Sequence, residues 1–340
     1  MNNLDQKELL EKRINKQINQ SIAKRVVKVL LIICLVLASG YYGLDLLYTA
    51  SNYNPYKEEK IIADNSEESI KPKDFALMME LVIKTYYPGY VGFVTEVKDL
   101  GFGKYDVGMS VQEYSNVKTY PGLTNVIFHI EGSKLESIEA VDSTSYIFTR
   151  LLNEFDEPNI DCDNSENNVE AIKKEIIEFP DSSYITVSLS FKNYFTLDQF
   201  VEMTNTYDAN YYWLALQRAD DSGFVQASDG VSLFDNCGYE LADNRYPQLV
   251  WDNELTVDKI KERYQSHMQL FSDHIDFTRI FEYDYISLGS RLENRLKQAK
   301  EDIVPFGMKI LVKKAVLLEM LEELDIHYVN IQNVRLTRYS

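Results

Sequence analysis

Histidines are the side chains of this sequence best suited to metal binding or proton transfer, and their spacing does not assemble a site. They are His129, His267, His274 and His327. None lies in a His-Glu-x-x-His pattern, which would place two zinc ligands on one face of a helix. His267 and His274 are seven residues apart, without a third ligand nearby. Because a zinc site needs three or four protein ligands, we expect these histidines to be structural or surface residues.

An acidic segment has the spacing of the first ligands of a calcium-binding loop, with Asp161, Asp163 and Ser165 at alternate positions. Such a loop needs a glycine at its sixth position and a bidentate glutamate at its twelfth. Glu166 and Ile172 occupy those two positions. The segment is therefore interpreted as a solvated linker.

Patterns for nucleophilic catalysis and phosphate binding are also missing from the sequence. There is no Gly-x-Ser-x-Gly elbow and no glycine-rich phosphate loop. Ser21 and Lys24 match a Ser-x-x-Lys pair by spacing alone. The sequence predicts no catalytic, cofactor-binding or metal-binding residues, no cofactor, and a protein that is not an enzyme.

The charge of the chain is distributed unevenly over its 340 residues, which sum to −18. Residues 1–28 contain seven Lys/Arg and three Asp/Glu, a net charge of +4. Residues 29–48 contain one charged residue, Asp45, and the remainder of the chain carries −21. Because so acidic a body repels phosphates, we expect no direct contact with nucleic acid.

The apolar run over residues 29–48 (VLLIICLVLASGYYGLDLLY) has the length of a single membrane-spanning helix. At ~1.5 Å per residue it covers the ~30 Å hydrocarbon core of a bilayer. Basic residues at 24–28 precede the run, so the positive-inside rule places residues 1–28 in the cytoplasm and the acidic body outside the cell membrane. The alternative is a signal peptide cleaved near residues 38–40. The anchor is preferred because apolar residues resume after that site.

The basic head, residues 1–28, contains an apolar stripe in which one residue recurs every four positions. The stripe is Leu10, Ile14, Ile18, Ile22 and Val26. Residues 4–39 contain neither Pro nor Gly, so one helix is predicted to continue into the span. From the residues alone we favour a helix lying on the inner leaflet, its lysines meeting anionic lipids. A docking helix for a cytoplasmic protein is the second interpretation.

The body is predicted to be α+β and to form two modules, residues 49–165 and 166–340. In the first, a helix at 75–87 precedes antiparallel strands at 91–97, 105–112 and 125–130. A helix at 144–155 and an acidic linker at 161–168 follow. The body contains two cysteines, Cys162 and Cys237. The sequence leaves open whether they form one disulfide or stay unpaired.

The second module contains two β-α-β patterns, at residues 184–218 and 308–336. Two such units in one domain predict a ferredoxin-like sheet with helices on one face. Further helices at 257–272 and 288–303 are interpreted as an insertion between the units.

This order of motifs resembles the membrane-bound anti-sigma factors of Gram-positive bacteria, which are built from sigma factor regulator N-terminal and C-terminal domains. Residues 22–115 are similar to the first domain through the basic segment, the single span, Tyr87-Pro88-Gly89 and the Gly101–Asp106 motif GFGKYD. Residues 176–338 resemble the C-terminal domain through ITVSLSFKNYFTLDQF at 185–200, Tyr212-Trp213-Leu214 and PFGMKILVKKAVLLEML at 305–321.

The resemblance implies control of an extracytoplasmic-function sigma factor in response to an envelope signal. The head would bind the sigma factor through Leu10, Ile14, Ile18 and Ile22, although better-known members use several cytoplasmic helices and this chain offers one. The alternative function is a membrane-anchored envelope-binding or structural protein without a transcriptional role. Self-association of the chain into a homo-oligomer stays open.

Overall fold

Eight helices and two antiparallel sheets make up the described part of this α+β chain. The computed structural model describes residues 3–57, 74–113, 124–140, 155, 157–158, 169–217, 229–234, 245–249, 251, 254–280 and 288–336. The helices are α1 (Asn3–Ser51), α2 (Asp74–Tyr86), α3 (Val169–Glu178), α4 (Leu197–Thr206), α5 (Val257–Asp273), α6 (Ile275–Ile280), α7 (Leu288–Lys300) and α8 (Lys314–Glu323). The strands are β1 (Tyr90–Gly101), β2 (Lys104–Glu113), β3 (Thr124–Glu131), β4 (Lys134–Ala140), β5 (Tyr184–Phe191), β6 (Ala209–Leu216), β7 (Asp229–Ser232), β8 (Pro305–Lys313) and β9 (Ile326–Arg335).

Helix α1 continues without a break over 49 residues, which confirms the prediction that the head helix continues through the apolar run. No proline interrupts it, and its first glycine is Gly40, so its hydrogen-bond ladder loses no donor. At ~1.5 Å per residue the helix is roughly 70 Å long. One rigid element therefore joins the N-terminal segment to the body.

The first sheet is a four-stranded meander in the order β1-β2-β3-β4, and α2 packs on it. Tyr105, Val107 and Met109 are buried at alternate positions of β2, as the period of a strand with one buried face requires. The helix and the first three strands confirm the prediction from the sequence. Strand β4 was not predicted because charged residues occupy three of its seven positions (KLESIEA), a composition typical of edge strands.

The second sheet has five strands in the order β7-β6-β8-β5-β9, and each neighbouring pair is antiparallel. The units β5-α4-β6 and β8-α8-β9 confirm the two predicted β-α-β patterns. They interleave, because β8 lies between β6 and β5. Thr196 begins α4 through a capping box in which its hydroxyl accepts from the Gln199 N–H and the Gln199 side chain accepts from the Thr196 N–H.

Helix α2 lies between the two sheets, and eleven of its thirteen residues are buried. A helix buried on almost every face must contact protein on both sides. On one side it packs on β1, and on the other it contacts β7 and α5. The Trp213 indole N–H of β6 donates to the Lys84 carbonyl of α2, with Nε1 and O 2.9 Å apart. The two sheets therefore share one hydrophobic core, which includes α2, Val107 of β2 and Val329 of β9.

The inserted helices predicted at 257–272 and 288–303 correspond to α5 and α7, and α6 lies between them. The short elements α3, β7 and α6 were not predicted. The proposed linker at 161–168, Cys162 and Cys237 lie outside the described residues, as does the predicted helix at 144–155 apart from Phe155.

Candidate functional site

The apolar stripe of α1 is the candidate binding site named from the sequence, and its side chains are exposed to solvent. Ile14, Ile18 and Ile22 expose 46%, 49% and 54% of their surface, and Val26 is exposed to a similar degree. The backbone at Leu10 is helical, but its side chain lies outside the described part of the chain. A four-residue repeat exceeds the 3.6-residue helical turn, so the stripe winds slowly around the helix. Exposed isoleucines in such a row form a surface that a partner can cover.

The apolar run of α1 is also exposed along its length. Each of the large apolar side chains from Val29 to Leu37 exposes between 47% and 67% of its surface. Exposure of this extent means that no other described part of the chain packs closely against residues 29–37. Within the described ranges, none of the helices combines the length and the apolar character that a membrane crossing requires.

The C-terminal end of α1 is fixed to the turn that joins β1 to β2. The Asp45 carboxylate accepts a hydrogen bond from the Phe102 backbone N–H, with Oδ1 and N 2.5 Å apart. The Phe102 ring packs edge-on against Tyr41, with ring centres 4.9 Å apart. Gly101 and Gly103 flank Phe102, and all three residues have positive φ angles. The angle is 82° at Gly101, 51° at Phe102 and 66° at Gly103. This left-handed turn needs its glycines, which adopt such angles without steric cost.

A second turn, between β3 and β4, contacts the residues that follow α1. The Ser133 hydroxyl accepts a hydrogen bond from the Tyr53 backbone N–H at 2.6 Å. The Asn52 side-chain amide donates to the Tyr48 carbonyl at 2.7 Å and so satisfies one carbonyl of the last helical turn. The two turns lie at the same end of the first sheet. Together they hold α1 from Tyr41 to its C-terminal end.

Sequence reasoning missed this junction, although its parts were visible. Asp45 was noted as the only charge of the apolar run, and the Gly-Phe-Gly sequence at 101–103 indicates a left-handed turn. Nothing in the sequence pairs them, because Asp45 and Phe102 are 57 positions apart. A charge that interrupts an apolar run, together with a glycine-flanked aromatic turn, is the signal that could have suggested the contact.

The charged groups buried in the body are held by structural partners. Arg295 of α7 donates from Nε to the Asp229 carboxylate of β7 at 2.9 Å, and its guanidinium also donates to the Tyr86 hydroxyl of α2. Burial lowers the pKa of Arg295, but the Asp229 carboxylate together with Tyr86 and Tyr264 raises it by more, so the pKa is raised overall. An ion pair shielded from water in this way fastens three elements together.

Arg263 of α5 is fully buried and donates to main-chain carbonyls. Its Nε donates to the Ser232 carbonyl oxygen at 2.7 Å. Its two terminal nitrogens donate to the carbonyls of Phe234 and of residues 248–249. The guanidinium also stacks over the Trp251 ring at 5.2 Å. These contacts satisfy donors of Arg263 and anchor the end of β7 and residues 248–249 to α5.

The described histidines are dispersed in the fold. His267 is fully buried, and neither ring nitrogen has a hydrogen-bond partner among the described residues. Burial, followed by the positive charges of Arg263 and Lys84, holds the pKa of His267 well below its usual range. His274 instead pairs with Asp74, with Nδ1 and Oδ1 2.5 Å apart. Within the ranges given above, no three His, Cys, Asp or Glu side chains are grouped in a way that could hold a metal ion.

Comparison with known protein families, curated proteins and solved structures gives no match to this chain. Its function is therefore argued from the exposed stripe, the exposed apolar run and the junction between α1 and the first sheet.

Proposed function

We propose that this chain is a single-pass membrane anti-sigma factor that regulates an extracytoplasmic-function sigma factor in response to an envelope signal. The head, residues 1–28, binds the sigma factor in the cytoplasm through Leu10, Ile14, Ile18 and Ile22. The apolar run 29–48 crosses the cell membrane, and the acidic body lies outside. The protein acts by binding and not as an enzyme.

One observation carries this proposal. The same unbroken helix, α1, has an exposed apolar stripe near one end and is fastened to the first sheet at the other. A change in the body that shifts the turns at 101–103 and 132–133 shifts the helix directly. The head is too short to hold a core of its own, so a partner protein is the means by which it acts.

The membrane span is proposed from the exposed apolar side chains of residues 29–37. An exposed apolar surface of this size is unfavourable in water, and hydrocarbon is the environment that removes the cost. The neighbouring basic residues Lys24, Arg25 and Lys28 support the orientation with the head inside.

For the C-terminal module, we propose a ferredoxin-like fold. Its four strands are, in chain order, β5, β6, β8 and β9. In the sheet they lie in the order β6-β8-β5-β9, that is, second, third, first and fourth. This order supports the proposal because it follows from two interleaved β-α-β units. Strand β7 then extends the sheet beside β6, and the segment from α5 to α7 is an insertion.

The proposal is tested with the full chain and the sigma factor whose gene neighbours its own. The variant Ile14→Ser/Ile18→Ser/Ile22→Ser removes the stripe. The control Gln20→Ser/Ala23→Ser places serines on the opposite face of α1. Transcription from a promoter of that sigma factor and co-purification from membranes are the two measurements.

We expect the stripe variant to lose co-purification and to raise transcription about tenfold or more, because three apolar anchors at an interface supply more than ~1.4 kcal/mol. The control variant should behave as the wild type. If the stripe variant still binds the sigma factor and represses, the proposal is wrong. If neither the wild type nor the stripe variant binds the sigma factor or represses transcription, the envelope-binding or structural alternative is favoured.

A further inference from the structure

The turn Leu100–Gly103 lies beside the apolar run of α1 and not beyond its end. Phe102 contacts Tyr41 and Asp45, which both belong to residues 29–48. A Cβ atom added at Gly103 would lie 3.2 Å from the Tyr48 ring, so the turn backbone approaches the helix closely. The tip of the first sheet is thus level with the last third of the proposed span.

The helical rise gives the depth of this turn. Asp45 and Tyr41 lie three and seven residues before Tyr48, which corresponds to roughly 5 and 10 Å along the helix axis. This is the depth to which interfacial apolar groups enter the boundary between headgroups and acyl chains. If residues 29–48 span the membrane, the turn cannot remain in bulk water.

The chemistry of the turn suits that environment. Leu100 exposes 49% of its surface, and Phe102 is half-buried against α1. Phe102 adopts a φ angle of 51°, a conformation that is uncommon for an aromatic residue and that presents its ring to Tyr41. Asp45, the only charge of the run, has its carboxylate bonded to the Phe102 N–H. The contact therefore satisfies the polar group that is most costly to place near lipid.

We propose that the turn Leu100–Gly103 is a second membrane contact, seated in the lipid interface of the outer leaflet beside α1. The inference rests on the membrane span of the proposed function. Lipid is the occupant because Leu100 is exposed and lies in the same turn as Phe102, whose ring packs on Tyr41 of the apolar run, so the turn is level with Tyr41 to Tyr48. With this contact the body meets the membrane at two points, which restricts the tilt of α1 and the body relative to the bilayer.

The experiment uses the full chain in lipid vesicles, with Cys34, Cys162 and Cys237 replaced by serine. An environment-sensitive fluorophore is attached to one new cysteine at a time, through Leu100→Cys, Phe93→Cys or Leu35→Cys. The quenching of each fluorophore is then measured with spin-labelled lipids. In one lipid the quencher lies near the headgroup, and in the other it lies deep in the acyl chain. Phe93 is an exposed apolar residue on the same strand, roughly 23 Å from Leu100 at ~3.3 Å per residue.

We expect the label at Leu100→Cys to be quenched about twofold or more by the shallow quencher relative to the label at Phe93→Cys. The label at Leu35→Cys should be quenched best by the deep quencher. Quenching at Leu35→Cys without quenching at Leu100→Cys overturns the second contact and leaves the proposed anchor intact. Absence of quenching at Leu35→Cys refutes the anchor itself, and with it the second contact. Shielding at Leu100→Cys that increases with protein concentration and not with lipid would assign the turn to a second copy of the chain, and would also overturn the proposal.

Discussion

The carboxylate of Asp45 accepts a hydrogen bond from the backbone N–H of Phe102, and this contact joins the apolar run of α1 to the first sheet. The bond closes a loop of the chain that includes α2 and all of β1. It links the segment proposed to cross the membrane to a turn of the body. Movement of this turn is therefore transmitted to α1 through the contact.

Replacing Asp45 with alanine tests the junction directly. The Phe102 N–H then loses a charged acceptor, and such hydrogen bonds contribute about 1.5–3 kcal/mol. We expect amide hydrogen exchange in the segment containing Phe102 to become about tenfold faster or more. Asp45→Asn keeps an oxygen acceptor, so its exchange should lie between those of the wild type and Asp45→Ala. Equal exchange in all three proteins would show that the contact does not hold the turn.

Cys34 gives a test of the proposed span, because it lies within the apolar run and is exposed along the helix. In a chain carrying Cys162→Ser and Cys237→Ser, we expect a membrane-impermeant maleimide to leave Cys34 unlabelled in intact membranes. Detergent should restore its labelling. The control is Ser51→Cys in a background that also lacks Cys34, because Ser51 is the last residue of α1. It should label from the outside without detergent, and equally fast labelling at both positions would contradict the span.

Gly230 of β7 has no room for a side chain. A Cβ atom there would lie 2.0 Å from Cζ2 of Trp213 on the neighbouring strand. Because overpacking a closed core costs about 1–3 kcal/mol, Gly230→Ala should lower the free energy of unfolding of the full chain in detergent by that amount. The measurement is denaturant unfolding followed by tryptophan fluorescence.

Gly43→Ala is the matched control for that variant. Gly43 lies in α1 with no atom within 4 Å of its added Cβ, so the same substitution should be neutral or slightly stabilising there. If the two variants unfold at the same denaturant concentration, Gly230 does not pack closely on Trp213.

His267 predicts a pH dependence of stability. In the folded protein its pKa lies well below 6.5, whereas in the unfolded chain it titrates near 6.5. Above that pH both states are neutral at this site, and His267 makes no pH-dependent contribution. As the pH falls below 6.5 the unfolded chain takes up a proton that the folded protein does not. The free energy of unfolding should therefore decrease by up to about 1.4 kcal/mol per pH unit until the folded pKa is reached.

The variant His267→Leu removes that proton, so between pH 7 and pH 5 its unfolding free energy should decrease less steeply than that of the wild type. Tyr264→Phe is the control, because it also changes a fully buried polar side chain of α5 but no group that titrates in this range. Its pH profile should run parallel to that of the wild type. Parallel profiles for His267→Leu and the wild type would mean that the imidazole is not held neutral by burial.

Much of the fold was predictable because its elements have strong local patterns. The apolar residues of α2 recur with a helical period, β2 alternates, and Thr196 with Gln199 forms a capping box that can be read from residue types alone. The elements that were missed are short or polar: β7 has four residues, and β4 is an edge strand rich in charge. Their hydrogen bonds come from neighbouring strands, and no local pattern encodes those neighbours.

The candidate site divides in the same way. The stripe at Ile14, Ile18 and Ile22 was predicted because a helical period is a property of adjacent residues. The junction at Asp45 and Phe102 was not, because it depends on how the first sheet lies against α1. The same is true of the buried pair of Arg295 with Asp229, which are 66 positions apart.

The sequence by itself determined the helix of the head, the apolar run, the acidic body and the order of most of the helices and strands, since each depends on the spacing of neighbouring residues. Only the tertiary structure decided that α2 lies between two sheets, that β8 lies between β6 and β5, and that α1 is fastened to two turns of the first sheet. These relationships arise from packing and hydrogen bonds between residues far apart in the chain, where burial of apolar surface selects among arrangements that local patterns leave equivalent.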